Sequence, residues 1–359
     1  MTTLITIQPP EGNPYDLAID GTEFVDPDDR ATEGIDTAHL WALPGLADAH
    51  AHLTMTALDD IAGTSEETMK ANIPATAWAH VERGILVILD KGGNTDVTLL
   101  SLDHDADLRP HVEVAGAMIH PDGGYMKGYG VEVEPEDLVE HVRSTAATRG
   151  GWVKIVADWP RRGTGPATNY PLDALTEAVV VAHEAAARVA VHTMAHAASE
   201  AVAAGVDSIE HGPFLTEEDL RLLAARGGAW VPTIGNQTYW VNALGEESSG
   251  GRLFAAGLDQ ITANLPLAEE IGLTVLAGSD LAIPHGQIAT EAKLLRDHGL
   301  SDRAATIATS TAAFDYVGRT ERLGPGDTAD VVFFPENPYE DVTTLDRPEL
   351  IIHRGRVID

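Results

Sequence analysis

The sequence predicts an α/β fold, a (β/α)8 TIM barrel with a small β-sandwich domain built from both chain termini. Three observations lead there. Eight short apolar runs alternate with longer, often alanine-rich stretches, the pattern of repeated βα units around a parallel sheet. Both chain ends instead carry short strand-like runs separated by turns, and neither end is long enough to bury a core alone. Residues able to hold a metal fall at the C-terminal ends of the apolar runs, where this architecture gathers its active site.

Taken in order, Tyr15 to Val25 alternates apolar and polar residues around Asp20-Gly21, a hairpin signal. Its partners are at the other end, where Ala329 to Phe334 and Leu350 to Ile358 read as short strands around Asn337-Pro338. The composite β-domain is therefore expected over 1–44 and 323–359, and the barrel over 45–322. Barrel strands are expected at Trp41 to His50, Ile85 to Leu89, His111 to Ile119, Trp152 to Ala157, Val189 to Thr193, Ser208 to Glu210, Ala229 to Ile234 and Thr274 to Ser279. Helices are expected to include Pro135 to Thr148, Leu172 to Ala187, Ala197 to Ala204, Thr216 to Arg226 and Gly286 to His298. Thr216 reads as an N-cap before an acidic first turn. A doubly wound open sheet is the rival architecture. It calls for a glycine-rich first turn, and no G-x-G-x-x-G follows a first strand.

Composition narrows the function. The formal net charge is −33, from 56 acidic against 23 basic residues, only five of them lysine. Such a field repels nucleic-acid phosphate and anionic membrane, so a small-molecule substrate is the expected partner; a homo-oligomer is compatible with the sequence. The chain has no run of eighteen apolar residues, and Met1 to Ile7 lacks a basic start with a long apolar centre, which predicts a cytoplasmic protein. With no cysteine, thiolate ligands are excluded. His, Asp, Glu and a modified lysine remain to bind metal.

His50 and His52 end the first strand at i, i+2, so both imidazoles point to one side and form half of a metal site. Lys154 lies within the fourth strand, His192 ends the fifth, His211 follows the sixth and Asp280 follows the eighth. All six fall at strand C-terminal ends or next to them, which predicts one shared site. The serine nucleophile elbow G-x-S-x-G is absent, against a covalent hydrolase.

Pro44 to His52, with Ile209-Glu210-His211-Gly212 and Gly278-Ser279-Asp280, resembles the amidohydrolase superfamily of metal-dependent hydrolases. The nearer likeness is to its imidazolonepropionase-like and Xaa-Pro dipeptidase branch. It runs through the whole chain, because Leu323 to Val331 and Asn337-Pro338 resemble that family's return to its small β-sandwich. The resemblance implies that His50, His52 and Asp280 hold one metal and His192 and His211 a second, bridged by a carboxylated Lys154. A one-metal site of His50, His52, His192 and Asp280, with His211 polarising the substrate carbonyl, is the alternative. Nitrogen and carboxylate donors suit zinc best, with manganese, iron or cobalt also fitting. The implied reaction is cleavage of a C–N bond in an amide, peptide or cyclic amide by metal-bound hydroxide, with Asp280 as proton shuttle. Ester or lactone hydrolysis at the same site and a catalytically silent scaffold are the competing functions.

Asp48 and Glu210 stand beside ligands and are expected to orient them. Two departures stand out: His196 follows His192 by four residues rather than two, and no acid lies three residues after His192. Substrate contacts are expected from His120, Tyr125 and Tyr129 after the third strand, Arg161 and Arg162 after the fourth, and His285 after the eighth. Asn236, Gln237, Tyr239 and Trp240 after the seventh are similarly placed. Lys127, Arg161 and Arg162 are scarce cations suited to a substrate carboxylate.

Overall fold

The computed structural model describes residues 2–27, 31–58, 64–147, 151–161, 165–320 and 322–358. Arg162 lies outside them. The chain is a mixed α/β protein organised on a curled parallel sheet. Among the described residues its main path has eight strands, paired in this order: Thr274–Val275, Ala229–Val231, Ser208–His211, Arg188–Thr193, Gly151–Val156, His111–Ala115, Ile85–Asp90 and Leu46–Ala51. Leu46–Ala51 and Ile85–Asp90 are buried at every position, as expected of strands covered on both faces. The curl brings the two ends of the path together. Ala49 N–H donates to Ala277 O at 2.7 Å and Asp280 N–H to His50 O at 2.8 Å.

The structure divides several expected elements. Trp41 to His50 is two strands: Trp41–Leu43 pairs antiparallel with Val331–Phe334, while Leu46–Ala51 enters the large sheet. The break falls at Pro44-Gly45, where Gly45 has φ 129° and a Cβ would stand 2.9 Å from Leu86 Cβ, so only glycine fits the turn. Ala229 to Ile234 stops at Val231 because Ile234 opens the helix Ile234–Leu244. The segment after the fourth strand, expected as a loop, pairs Asp158–Arg161 antiparallel with Gly165–Thr168. The helices Glu66–Val81 and Ser249–Glu270 are further elements of the structure. Thr216 caps Glu217–Ala225 in a capping box with Asp219.

The chain ends form two four-stranded sheets. One pairs Glu23–Val25, Tyr15–Asp20, Thr2–Ile7 and Ala31–Gly34; the other pairs Arg356–Ile358, Leu350–His353, Val331–Phe334 and Trp41–Leu43. They bury one apolar cluster, in which Ile5, Ile7, Leu17 and Phe24 meet Val331, Phe333 and Ile352. Backbone bonds tie the ends together, Phe24 N–H to Asp327 O and Ala329 N–H to Thr22 O, both at 2.8 Å. Among the described residues no helix is long and apolar enough to cross a membrane.

Candidate active site

The six expected residues divide into imidazoles whose outer nitrogens are spoken for and groups left with no partner. His52 Nδ1 lies 2.6 Å from Gly92 O. A carbonyl only accepts, so Nδ1 carries a proton, and Nε2 faces Asp280 Oδ1 at 3.2 Å. His50 repeats the pattern, with Nδ1 2.7 Å from Glu210 Oε2 and Nε2 3.3 Å from Asp280 Oδ1. His211 Nδ1 lies 2.5 Å from Thr233 Oγ1, whose own hydroxyl donates to Pro232 O at 2.8 Å. His211 therefore donates to Thr233, and its Nε2 lone pair points to His192 Nδ1 at 3.0 Å and Asp280 Oδ2 at 3.7 Å.

The Nε2 atoms of three imidazoles thus converge on one carboxylate. Donor atoms of His50, His211 and Asp280 lie within 4.8 Å of one another. Acceptors facing acceptors repel unless a cation stands among them, and this donor set suits a divalent metal. Two more atoms are orphaned by burial: His192 Nε2 and Lys154 Nζ have no hydrogen-bond partner. Burial, reinforced by the charge of Lys154 and by neighbouring rings, holds His50, His192 and His211 well below the ordinary histidine range, in the neutral form a ligand needs. His52 differs. Burial opposes its charged form, but the hydrogen bond and charge of Asp280 outweigh that and raise its pKa.

The backbone is strained where these groups meet. His211 (φ 63°), Thr233 (φ 48°), Asp280 (φ 44°) and Leu281 (φ 58°) all sit in the left-handed region without being glycine. Asp48 holds the strained turn: its Oδ1 accepts from Ser279 N (3.0 Å) and His50 N (3.2 Å), and its Oδ2 from Ser279 Oγ (2.5 Å). Burial pushes the Asp48 pKa up to about 6, against those hydrogen bonds.

Lys154 is fully buried in Gly151–Val156, and burial pushes its pKa down to about 8. A second buried lysine was not foreseen. Lys91 Nζ lies 2.9 Å from Glu210 Oε1 and 4.8 Å from the Trp152 ring centre. Glu210 therefore joins Lys91 to His50. Neither contact meets hydrogen-bond alignment: the Lys91 pair is ionic, while neutral His50 lies against the carboxylate without a directed bond. Burial pushes the Glu210 carboxyl up, but Lys91, Lys154 and the Ser208 hydroxyl outweigh it and keep its pKa below the ordinary value. The available signal was Asp90-Lys91 at the end of an apolar run in a chain with five lysines.

A cavity of about 210 Å³ opens over this centre, with His52, His192, His211 and Asp280 in its wall. Tyr125 and Tyr129 line it as expected, and the Tyr125 ring packs 4.6 Å from Trp159 and 5.2 Å from His192. Asn236 and Trp240 reach it from Ile234–Leu244, and Phe254 from Ser249–Glu270. The other expected contacts are placed elsewhere. Both ring nitrogens of His120 lie against carbonyls, Pro121 O at 2.9 Å and Tyr129 O at 2.7 Å, so this side chain pins its own loop. His285 is a strut between Met55 O (2.7 Å) and His80 Nε2 (2.9 Å). Arg161 gives its guanidinium to Asn169 Oδ1 at 3.1 Å, and Lys127 is exposed. His196 is exposed beside Phe214. None of these five is in the cavity wall.

The model of the amidohydrolase family matches residues 41–358. An uncharacterized protein of Mycobacterium tuberculosis is 34% identical over 333 residues, covering 88% of this chain and 85% of that protein. Ochratoxinase of Aspergillus niger is 25% identical over 358 residues, covering 87% and 73%. Among solved structures, a Xaa-Pro dipeptidase with bound methionine has the same fold, with a TM-score of 0.83 at 21% identity over 99% of both chains. The chain therefore belongs to the amidohydrolase family and is an enzyme acting on carbon–nitrogen bonds.

Proposed function

We propose that this enzyme is a metal-dependent hydrolase that opens the C–N bond of an amide, peptide or cyclic amide, with two zinc-type ions at the mouth of a (β/α)8 barrel. The barrel would comprise 45–322, and 1–44 with 323–359 would form a β-sandwich. The bonds from Ala49 to Ala277 and from Asp280 to His50 support closure, and the apolar cluster shared by the two small sheets supports the sandwich.

One observation carries the chemistry: the Nε2 atoms of His50, His52 and His211 converge on Asp280 while their Nδ1 atoms face Glu210, Gly92 O and Thr233. His50, His52 and Asp280 would hold one ion, and His192 Nδ1 with His211 Nε2 the other. Lys154 would bridge them as a carbamate. Its buried, partnerless Nζ and a pKa lowered to about 8 raise the share of neutral amine, the form that adds to carbon dioxide and then gives up a proton. When bound, such ions supply Lewis acidity toward the carbonyl and bring the pKa of water to about 7. Asp280 takes the proton of the attacking water and returns it to the departing nitrogen. Glu210, Gly92 O and Thr233 fix the ring orientations, so no ligand has to turn during turnover.

Metal analysis of the purified protein tests this. Two equivalents per chain are expected, falling to one or none in His50→Ala, together with hydrolysis of at least one amide in a panel of N-acyl amino acids, dipeptides, hydantoins and anilides. Less than half an equivalent after loading with zinc refutes the metal centre.

A further inference from the structure

The cavity over the proposed metal centre is walled mostly by apolar and aromatic side chains. Trp159, Trp240, Phe254, Met126, Leu253 and Leu281 make much of its wall, and no lining group among the described residues is lysine or arginine. Two devices that could seat a carboxylate stand near this wall without serving it. Arg161, in the hairpin that also supplies Trp159, gives one N–H to Asn169 Oδ1, keeps Nε without a partner and is not part of the wall. The helix Ile234–Leu244, which brings Asn236 and Trp240 to the wall, offers free N–H groups at its start. Those of Ile234 and Gly235 already donate to Glu291 Oε1 at 2.6 Å and Oε2 at 2.9 Å, and Glu291 is fully buried. A substrate carboxylate held away from the proposed metal ions would therefore be buried against a wall with no cationic side chain and no free helix terminus to receive it.

What the wall does offer is uncharged. Asn236 Oδ1 and Tyr129 Oη are buried without partners, and both residues line the cavity. An acceptor of this kind calls for a substrate N–H. The volume of about 210 Å³ exceeds the roughly 150 Å³ that holds a benzene ring, so one ring and a few further atoms fit.

Resting on the hydrolytic function proposed above, we infer that the site takes an uncharged secondary amide with a single aromatic ring, and rejects substrates carrying a free carboxylate. The ring lies among Trp159, Trp240 and Phe254, and the amide N–H donates to Asn236 Oδ1. In the reaction, oxygen of water bonds to the carbonyl carbon and the C–N bond breaks with its electron pair going to nitrogen. The nitrogen then departs as the amine with a proton from the same water, leaving the carboxylic acid.

The test separates binding from turnover. Zinc-loaded protein is titrated calorimetrically with N-benzoylglycinamide and with its anionic partner N-benzoylglycine, and cleavage of both and of acetanilide is followed by chromatography. The amide is expected to bind about 30-fold or more tightly than the acid, the order set by leaving one charge unpaired. Trp240→Ala should weaken the amide about tenfold, and Met126→Arg, which puts a cation into the wall, should raise affinity for the acid about tenfold. If the neutral compound is preferred but nothing is cleaved, the substrate class stands and the hydrolytic function fails. If the acid binds as tightly as the amide, or Met126→Arg folds and leaves the preference unmoved, the inference is overturned whichever compound is cleaved.

Discussion

Replacing Glu210 by glutamine removes the one charge that faces both a buried lysine and a histidine of the proposed metal site. Lys91 is 2% exposed and loses the carboxylate 2.9 Å away, and stripping one member of a buried ion pair costs about 3–5 kcal/mol. The Trp152 face 4.8 Å from Lys91 Nζ is present before and after the change and does not alter this difference. A loss of about 3 kcal/mol, the lower end because the glutamine carbonyl still faces Lys91, lowers Tm by roughly 6 °C in a chain of this size. His50 also exchanges a carboxylate for a neutral amide at Nδ1, and losing such an orienting partner weakens metal binding about 10- to 100-fold. The two effects separate in the double variant Lys91→Met with Glu210→Gln, where no unpaired ammonium remains. Metal-free melting should return to within about 1 kcal/mol of the parent, while zinc affinity, measured by competition with a chelating dye, should stay weak. A single variant that melts with the parent, or a double variant that regains zinc affinity, refutes the reasoning.

Lys154→Met should abolish activity yet stabilise the metal-free protein. A buried lysine at about 8 against its ordinary 10.5 costs about 3 kcal/mol at pH 7. The unfolded chain binds the extra proton between those values, so parental stability rises from pH 8 to 10.5 and the variant's should not; parallel pH profiles of melting would count against this. Glu291 works in the opposite sense. Burial pushes its pKa from 4.5 up to about 8, so its contribution is complete below pH 4.5 and is lost as pH rises to about 8. Relative to Glu291→Gln, the parent should lose about 1.4 kcal/mol per pH unit across that window in denaturant titrations. Gly278→Ala sets a Cβ 2.5 Å from His50 Cβ and 2.8 Å from Val231 Cγ1. Overpacking of this kind costs about 1–3 kcal/mol and moves His50, so metal stoichiometry should fall along with Tm.

The sequence by itself determined the strand-end positions of His50, His52, His192 and His211, because a short apolar run fixes where a strand ends and neighbouring parallel strands end on one side; Lys154 lies inside its strand, and the eighth strand, expected to reach Ser279, ends at Val275, five residues before Asp280. It also determined the hairpin at Asp20-Gly21, where turn chemistry is local. It did not determine where Trp41 to His50 breaks, since an apolar run has the same pattern whether one sheet or two receive it. Only the tertiary structure decided which nitrogen of each imidazole faces the centre. That choice belongs to Gly92 O, Glu210 and Thr233, contributed by other strands and the loops after them and separated from their partners by 22 to 160 residues. The same distance in sequence hid the pairing of Lys91 with Glu210, the diversion of Arg161, His120 and His285 to structural bonds, and the part of the cavity wall that Leu253 and Phe254 supply from Ser249–Glu270. Residue type and spacing along one strand are local quantities; the proton, charge and shape of the site are set by contacts across strands, and only the folded chain specifies those.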